Sequence, residues 1–247
     1  MKNIIIKSIY FIGSKIFGSN TKKIIHKYLP KLYYFSVSMR WKTFIKPGDI
    51  VVQAGVDMGT KNSIYKSNVQ HMLNRVKEKG KVIAIEPSIE SVSLLKNHCE
   101  KNNITNLLIV EKALWNKRMK LTIKTGKKSW DNQILEVPGA EKIRKELIGV
   151  EYQVNADTLD NILESLSIES INHICLTING AEYEALQGMP KTLNTRNLSM
   201  LIASGDSQRF RSHVNGIPLY RKIVTFLERN SFNTFVDKEG WISAFKK

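Results

Sequence analysis

The chain has 247 residues, 42% of them hydrophobic and 24% charged. That length can bury a sizeable core, and the usage excludes a disordered, collagen-like or coiled-coil chain. The net charge of +16 points to an anionic neighbour: nucleic acid, a membrane surface or an acidic substrate.

The excess charge is concentrated at the start. Residues 1–48 hold ten Lys and Arg and no acid, whereas the remainder holds 28 basic against 22 acidic residues. Residues 1–46 therefore read as a basic helical arm and residues 47–247 as the main domain. In the arm, Ile5, Ile9, Ile12 and Ile16 recur at helical spacing with Lys2, Lys7 and Lys15 between them. Such a helix can lie against anionic lipid, and residues 1–29 are the candidates for that contact. Packing of the same helix on the main domain is the plainer reading, and both stay open. Lys7 and Lys15 interrupt the apolar run and no small-residue cleavage site follows, which argues against a secretory signal. No run approaches the roughly 18 apolar residues of a membrane span. Cys99 and Cys175 lie outside any CxxC pair or Cys/His cluster, and Cys175 reads as a buried structural thiol. The expected location is cytoplasmic, with peripheral contact at the inner membrane face if the arm binds lipid.

Pro47-Gly48-Asp49 is a turn signal, and the main domain begins there. Residues 49–54 (DIVVQA) predict a buried strand, followed by the glycine-bearing loop 55–59. The spacing predicts a helix over 63–79, a strand over 81–86 (KVIAIE), a helix over 89–102 and a strand over 106–111 (NLLIVE). Strand-helix-strand-helix-strand is half of a doubly wound α/β sheet. Residues 119–124 (MKLTIK) alternate and predict an added antiparallel strand. Residues 125–150 give no clear pattern. A short strand over 152–155, a capped helix over 157–166 and a central strand over 173–178 (HICLTI) come next. A helix from 181, a strand over 198–203, a helix over 220–230 and a terminal strand pair, 232–236 and 241–245, complete the domain.

Three constellations carry chemistry. The loop Gly55-Val56-Asp57-Met58-Gly59 joins a strand to a helix, where glycines let backbone approach a ligand and a helix start offers free N–H groups. Glu86 ends the second strand, where an acid of such a sheet accepts hydrogen bonds from ribose hydroxyls. Loop and acid together point to an adenosine-containing ligand. The strand over 173–178 ends in Thr177 and Asn179, and Gly180 opens a helix whose first turn holds Glu182. Strand ends at this edge are where ligands bind, so Thr177, Asn179 and Glu182 are expected at the pocket mouth. Glu182 as a first-turn acid complementing the helix dipole remains the alternative.

Ordered together, these segments resemble the FkbM family of S-adenosylmethionine-dependent methyltransferases. Gly48–Gly59 is similar to the family's GDxVxDxGAxxG, and Val82–Glu90 to its VxAxEPxP. Ala113-Leu114-Trp115-Asn116 with Leu121 is similar to ALxxxxGxxxL. Thr158–Leu163 and Ile174–Gly188 resemble TLDxLL followed by IxxIKIDVEGAExxVLxG. The NGAEYEALQGM form is similar to that of a divergent, archaeal-looking branch. The resemblance spans about residues 47–245 and implies a class I methyltransferase fold: a Rossmann-like doubly wound sheet with a terminal antiparallel strand pair.

By resemblance, Gln53, Gly55, Asp57 and Gly59 line the methionine and ribose end of S-adenosylmethionine, and Glu86 holds the ribose. Ala113, Leu114 and Trp115 border the adenine, and Thr177, Asn179 and Glu182 face the methyl acceptor. Three positions depart from the pattern: Gln53 and Thr177 stand where the family has Asp, and Asn179 where it has Glu. Neutral residues there weaken any case for a metal, since hard cations want carboxylate oxygens, and no metal site is expected. Methyl transfer needs alignment and exclusion of water, and a hydroxyl acceptor benefits from a base within hydrogen-bond reach. His213, Asp206 and Glu182 are the candidate bases. Arg209 and Arg211, in a long polar loop, are candidates to hold an anionic acceptor. The expected activity is O-methylation of a glycan, a lipid-linked glycan or a small metabolite. Two other classes stay open: a catalytically silent methyltransferase-like binding protein, and a nucleic-acid methyltransferase. The absence of an NPPY-like motif and of a recognisable RNA-binding module argues against the second. Oligomeric state is not legible.

Overall fold

Five short apolar runs make the parallel centre of a seven-stranded sheet. The computed structural model describes residues 44–56, 67–126, 132–138, 149–204, 213–214, 216–237 and 240–246, with 213–214 described as backbone only. These belong, Phe44 apart, to a compact unit, Ile45–Lys247. The arm expected over residues 1–46 and the head of the helix expected from 63 lie largely outside the described residues.

In chain order, strand β1 (Ile50–Ala54) precedes helix α1 (Asn68–Val76), β2 (Lys81–Ile85), α2 (Ile89–Asn102) and β3 (Leu107–Val110). Strands β4 (Ala113–Leu114), β5 (Met119–Lys124), β6 (Gln133–Ile134) and β7 (Glu151–Asp157) follow. Next come α3 (Leu159–Ser165), β8 (His173–Leu176), α4 (Glu182–Gln187), α5 (Pro190–Leu193) and β9 (Ser199–Ala203). The described residues close with β10 (His213–Val214), β11 (Ile217–Pro218), α6 (Leu219–Arg229), β12 (Phe232–Val236) and β13 (Trp241–Lys246).

The main sheet runs β12-β13-β9-β8-β1-β2-β3. Strands β9, β8, β1, β2 and β3 are parallel, and the terminal pair β13 and β12 is antiparallel. Near-continuous apolar strands fit a sheet covered on both faces. Val52, Ile83, Ile174, Met200 and Ile242 share one face with Leu159, Ile162, Ile223 and Leu227 of α3 and α6. Helix α1 buries Val69, Met72, Leu73 and Val76, and α2 buries Val92 and Leu95; none of these joins that cluster. They cover the opposite face, where Gln53, Ala84 and Cys175 point. The sheet is therefore doubly wound, and its winding reverses between β1 and β8. That reversal opens a crevice at the strands' C-terminal ends.

Local chemistry sets the helix ends. Ser67 caps α1 by accepting the Gln70 N–H at 3.2 Å, Ser88 caps α2, and Thr158 caps α3 by accepting the Asn161 N–H at 3.1 Å. Asn103, with φ of 50°, closes α2 in the left-handed region that Asn tolerates.

Two expectations need correction. The antiparallel strand at 119–124 is present, but it pairs with β7 and β6 in a separate sheet of order β4-β7-β5-β6. This sheet has its own core, in which Trp115, Leu121, Ile123 and Ile134 meet Ala181 at the start of α4. Asp157, expected to head a helix, instead ends a strand longer than foreseen. Its buried carboxylate meets Lys112 Nζ at 2.9 Å and Arg118 Nε at 3.2 Å, so Thr158 takes the capping position. Asn161 Nδ2 and the Thr158 N–H also donate to it. Burial pushes the carboxyl up, but these bonds and the Lys112 charge outweigh it and hold the pKa at about 2.

The Asp of the TLD motif has a structural task. Asp160 accepts the Lys191 N–H at 2.7 Å, the Thr192 N–H at 2.9 Å and the Thr192 hydroxyl at 2.6 Å, tying α3 to α5. Asp160→Ala removes all three bonds. It is expected to lower stability by about 1–2 kcal/mol in chemical denaturation, with the slope of the transition unchanged.

Candidate functional site

The crevice is built from the ends of β1, β2 and β8. At the end of β1 the chain passes so close to β8 that position 55 admits no side chain. Gly55 has φ of 77°, and a Cβ there would lie 2.1 Å from the Thr177 carbonyl oxygen. The approach is fixed by backbone bonds from Gly55 N–H to Ile85 O and from Thr177 N–H to Ala54 O, each 3.0 Å.

Polar side chains then knit the seam. Gln53 is fully buried; its Nε2 donates to Gly55 O at 2.7 Å, to Thr177 Oγ1 at 2.8 Å and to Ala54 O at 3.1 Å. The Thr177 hydroxyl donates to Gly55 O at 2.8 Å. Cys175, Gln53's neighbour across the β1–β8 pair, is buried, and burial pushes its thiol well above the usual range.

Glu86 sits just past β2. Its Oε2 accepts the Val56 N–H at 2.7 Å and its Oε1 the Ser88 N–H at 2.8 Å. The carboxylate thus braces the loop after β1 and the start of α2 together. Burial pushes its pKa up, partly offset by those two bonds, to about 7. On the other side of β1, Glu182 is fully buried in the first turn of α4. Its Oε1 accepts the Ile178 N–H at 3.1 Å, and its Oε2 finds no donor among the described residues. Burial pushes its carboxyl up to about 7, against the pull of backbone N–H groups.

The described residues thus bring together Gln53, Gly55 and Thr177 at the seam, flanked by Glu86 on one side and Asn179 with Glu182 on the other. Leu114 packs in the main core, while Ala113 and Trp115 pack in the core of the second sheet; all three are buried. Gly188 sits against the Trp115 carbonyl, 2.1 Å from where its Cβ would be. Asp57, Gly59, Asp206, Arg209 and Arg211 lie outside the described residues, as does the side chain of His213. Among the described residues, no group of three or more His, Cys, Asp or Glu is placed to hold a metal ion. No described helix is long and apolar enough to cross a membrane.

Two contributors went unnoticed in the sequence. Tyr152 of β7 hydrogen-bonds the Ser88 side chain, and burial raises its phenol's pKa. Gln133 of β6 donates from Nε2 to the Asn179 carbonyl at 2.7 Å. Neither carries a local signal, because its partner lies far along the chain.

The seam predicts that Gly55→Ala costs about 3 kcal/mol or more, since φ and space are both wrong for a side chain. A fall in the urea midpoint would show it. The buried carboxyls of Glu86 and Glu182 predict a pH slope. Between about 4.5 and 7 the folded chain holds protons that the unfolded chain has released, so stability should fall as pH rises. Glu182→Gln keeps an acceptor for the Ile178 N–H and removes one such proton. Its denaturation midpoint should fall less from pH 5 to pH 8 than that of the parent chain.

A family model for the FkbM methyltransferase domain matches residues 49–234. Among solved structures, the chain is similar to a methyltransferase FkbM from Methylobacillus flagellatus KT, with a TM-score of 0.51 and 10% identity, over 96% of this chain and 58% of that one. It is also similar to a SAM-dependent methyltransferase from Aquifex aeolicus, with a TM-score of 0.44 and 11% identity over 96% of both chains. Aeropyrum pernix fibrillarin with natively bound S-adenosyl-L-methionine gives 0.48 and 9% identity, over 85% of this chain and 74% of that one. A search of curated proteins finds no match. The first structural likeness is one of fold, and the sheet order described above is that fold. With the family model covering most of its length, the chain belongs to the FkbM methyltransferase family, a class I methyltransferase whose methyl donor is S-adenosylmethionine.

Proposed function

We propose that this chain transfers a methyl group to a hydroxyl oxygen of a glycan, a lipid-linked glycan or a small metabolite. The observation that carries the donor side of this reading is the Glu86 carboxylate at the end of β2, beside the switch point, whereas the hydroxyl acceptor follows from the family resemblance. Each of its oxygens accepts one backbone N–H, which leaves lone pairs for the two hydroxyls of a ribose. The described residues therefore fit the donor on its ribose side. Gln53 and Gly55, with Asp57 and Gly59, would border its methionine end, and Ala113, Leu114 and Trp115 its adenine. The bound donor would supply an electrophilic methyl on a sulfonium sulfur.

The chain's own work is to orient the acceptor, exclude water and take up its proton. Glu182, fully buried at the turn after β8 with its Oε1 on the Ile178 N–H, is one candidate base. His213 and Asp206 are the further candidates, with Arg209 and Arg211 as ligands for an anionic acceptor. Thr177 and Asn179 stand on the acceptor side. The basic arm, residues 1–29, would bring the enzyme to an anionic membrane surface if the acceptor is lipid-linked.

Calorimetric titration of S-adenosylmethionine and S-adenosylhomocysteine tests the donor site. Micromolar binding is expected, weakened about tenfold or more in Glu86→Ala by loss of two hydroxyl bonds. Transfer of labelled methyl to a panel of glycans and hydroxylated metabolites tests the acceptor. Label recovered on nitrogen or carbon instead of oxygen would overturn the O-methyl reading. A chain that binds neither donor nor product is a silent relative, in which the neutral Gln53, Thr177 and Asn179 mark a retired site.

A further inference from the structure

Residues 132–138 are held to two places at once. On one side they belong to the second sheet: Lys124 pairs with Gln133 and Ile123 with Ile134, and the Leu135 N–H donates to Thr122 O at 2.9 Å. The Glu136 carboxylate accepts the Thr122 N–H at 2.9 Å. On the other side they meet the turn after β8. Gln133 Nε2 donates to the Asn179 carbonyl at 2.7 Å, and Asn179 Nδ2 donates to the Asn132 carbonyl at 2.8 Å. The two amides thus exchange hydrogen bonds reciprocally, each donating to the other segment's backbone.

The pair is costly to build, which argues that it is used. Gln133 is 1% exposed, and its Oε1 has no donor among the described residues, so burial of this amide is offset chiefly by the bond its Nε2 makes. Asn179 has φ of 53° and is followed by Gly180 with φ of 98°, a left-handed turn that Asn adopts more readily than most residues. A carboxylate at position 179, as in the family pattern, would set an acceptor against the Asn132 carbonyl. The Asn179 amide donates there, as an ionised carboxylate cannot.

The location gives the pair its meaning. In the sheet order, β8 lies on the opposite side of β1 from β2. Glu86 therefore marks one flank of the crevice and Asn179 the other. The second sheet bridges them, through Tyr152 to Ser88 at the β2 end and through Gln133 to Asn179 at the β8 end. We propose that the reciprocal amide pair of Gln133 and Asn179 seats residues 132–138 as the acceptor-side wall of the crevice, making both positioning residues for the acceptor and not for the methyl donor. This rests on the transferase reading above, in which Glu86 marks the donor side.

The test is hydrogen exchange by mass spectrometry on the full chain, paired with calorimetric titration of S-adenosylhomocysteine. Asn179→Gly keeps the left-handed turn and removes the donor; Asn179→Asp replaces the donor with an acceptor; Gln133→Leu removes the other half. Each should raise amide exchange across 132–135 by about tenfold or more at pH 7, with the strands of the main sheet unchanged. In Asn179→Asp, protection corrected for intrinsic rates should return as pH falls through the carboxyl range, since a protonated Asp can again donate to the Asn132 carbonyl. Neither of the other variants should recover. S-adenosylhomocysteine affinity should stay within about threefold of the parent chain in all three, while KM for a hydroxyl acceptor found with labelled methyl should rise about fivefold or more in Asn179→Gly and Gln133→Leu; an unchanged acceptor KM would overturn the positioning role. Unchanged exchange in Asn179→Gly and Gln133→Leu, or no recovery of Asn179→Asp in acid, would overturn the amide pair. A parallel loss of S-adenosylhomocysteine affinity would place the wall on the donor side and overturn the assignment. Failure of the parent chain to bind S-adenosylhomocysteine would instead count against the Glu86 reading and with it the acceptor role, while exchange still judged the pair itself.

Discussion

The closeness of β1 and β8 at their C-terminal ends is the constraint from which the rest follows. Two parallel strands meet there with a glycine at the contact, and the missing side chain of Gly55 is filled by the Thr177 carbonyl. Because the winding of the sheet reverses at this seam, the helices that follow β1 and β8 pack on opposite faces, and the C-terminal ends of the two strands form the switch point at which such sheets bind ligands. The motif glycine at position 55 is thus explained by its neighbour strand before any ligand is considered. Glu86 performs a comparable task on the β2 side, where its two oxygens brace the loop after β1 against the start of α2.

The three departures from the family pattern share one chemistry. Gln53 donates to the Ala54 and Gly55 carbonyls, Thr177 to the Gly55 carbonyl, and Asn179 to the Asn132 carbonyl. In each case a donor stands where the pattern has an acceptor, and it faces a backbone oxygen that a carboxylate would repel. The donors of this neutral set are matched to buried backbone acceptors, while the Gln53 Oε1 has no donor among the described residues.

Much of this architecture was legible. The helix over 89–102 and the strands over 119–124 and 232–236 show their period and their boundaries in the chain itself, because one face of each is buried and the other is not. Buried runs such as HICL and SMLIA announced central strands by being apolar throughout. Strands β4 and β6, two residues each, did not, since a period cannot be read from two residues. Asp157 was misjudged for a related reason. An acid before Thr-Leu-Asp looks like a cap, and its partners Lys112 and Arg118 lie some forty residues earlier in the chain.

The sequence by itself determined the doubly wound sheet, the family and the candidate positions Gly55, Glu86, Thr177, Asn179 and Glu182, because periodicity, glycine spacing and motif order are properties of neighbouring residues. Only the tertiary structure decided what those side chains touch. It tied Gln53 to Thr177 across the seam and Asn179 to Gln133 across two sheets, and it buried Glu182 away from water. Whether a polar group is an open ligand or a satisfied strut depends on the donors and acceptors that folding brings within 3 Å, and their separation along the chain carries no trace of it.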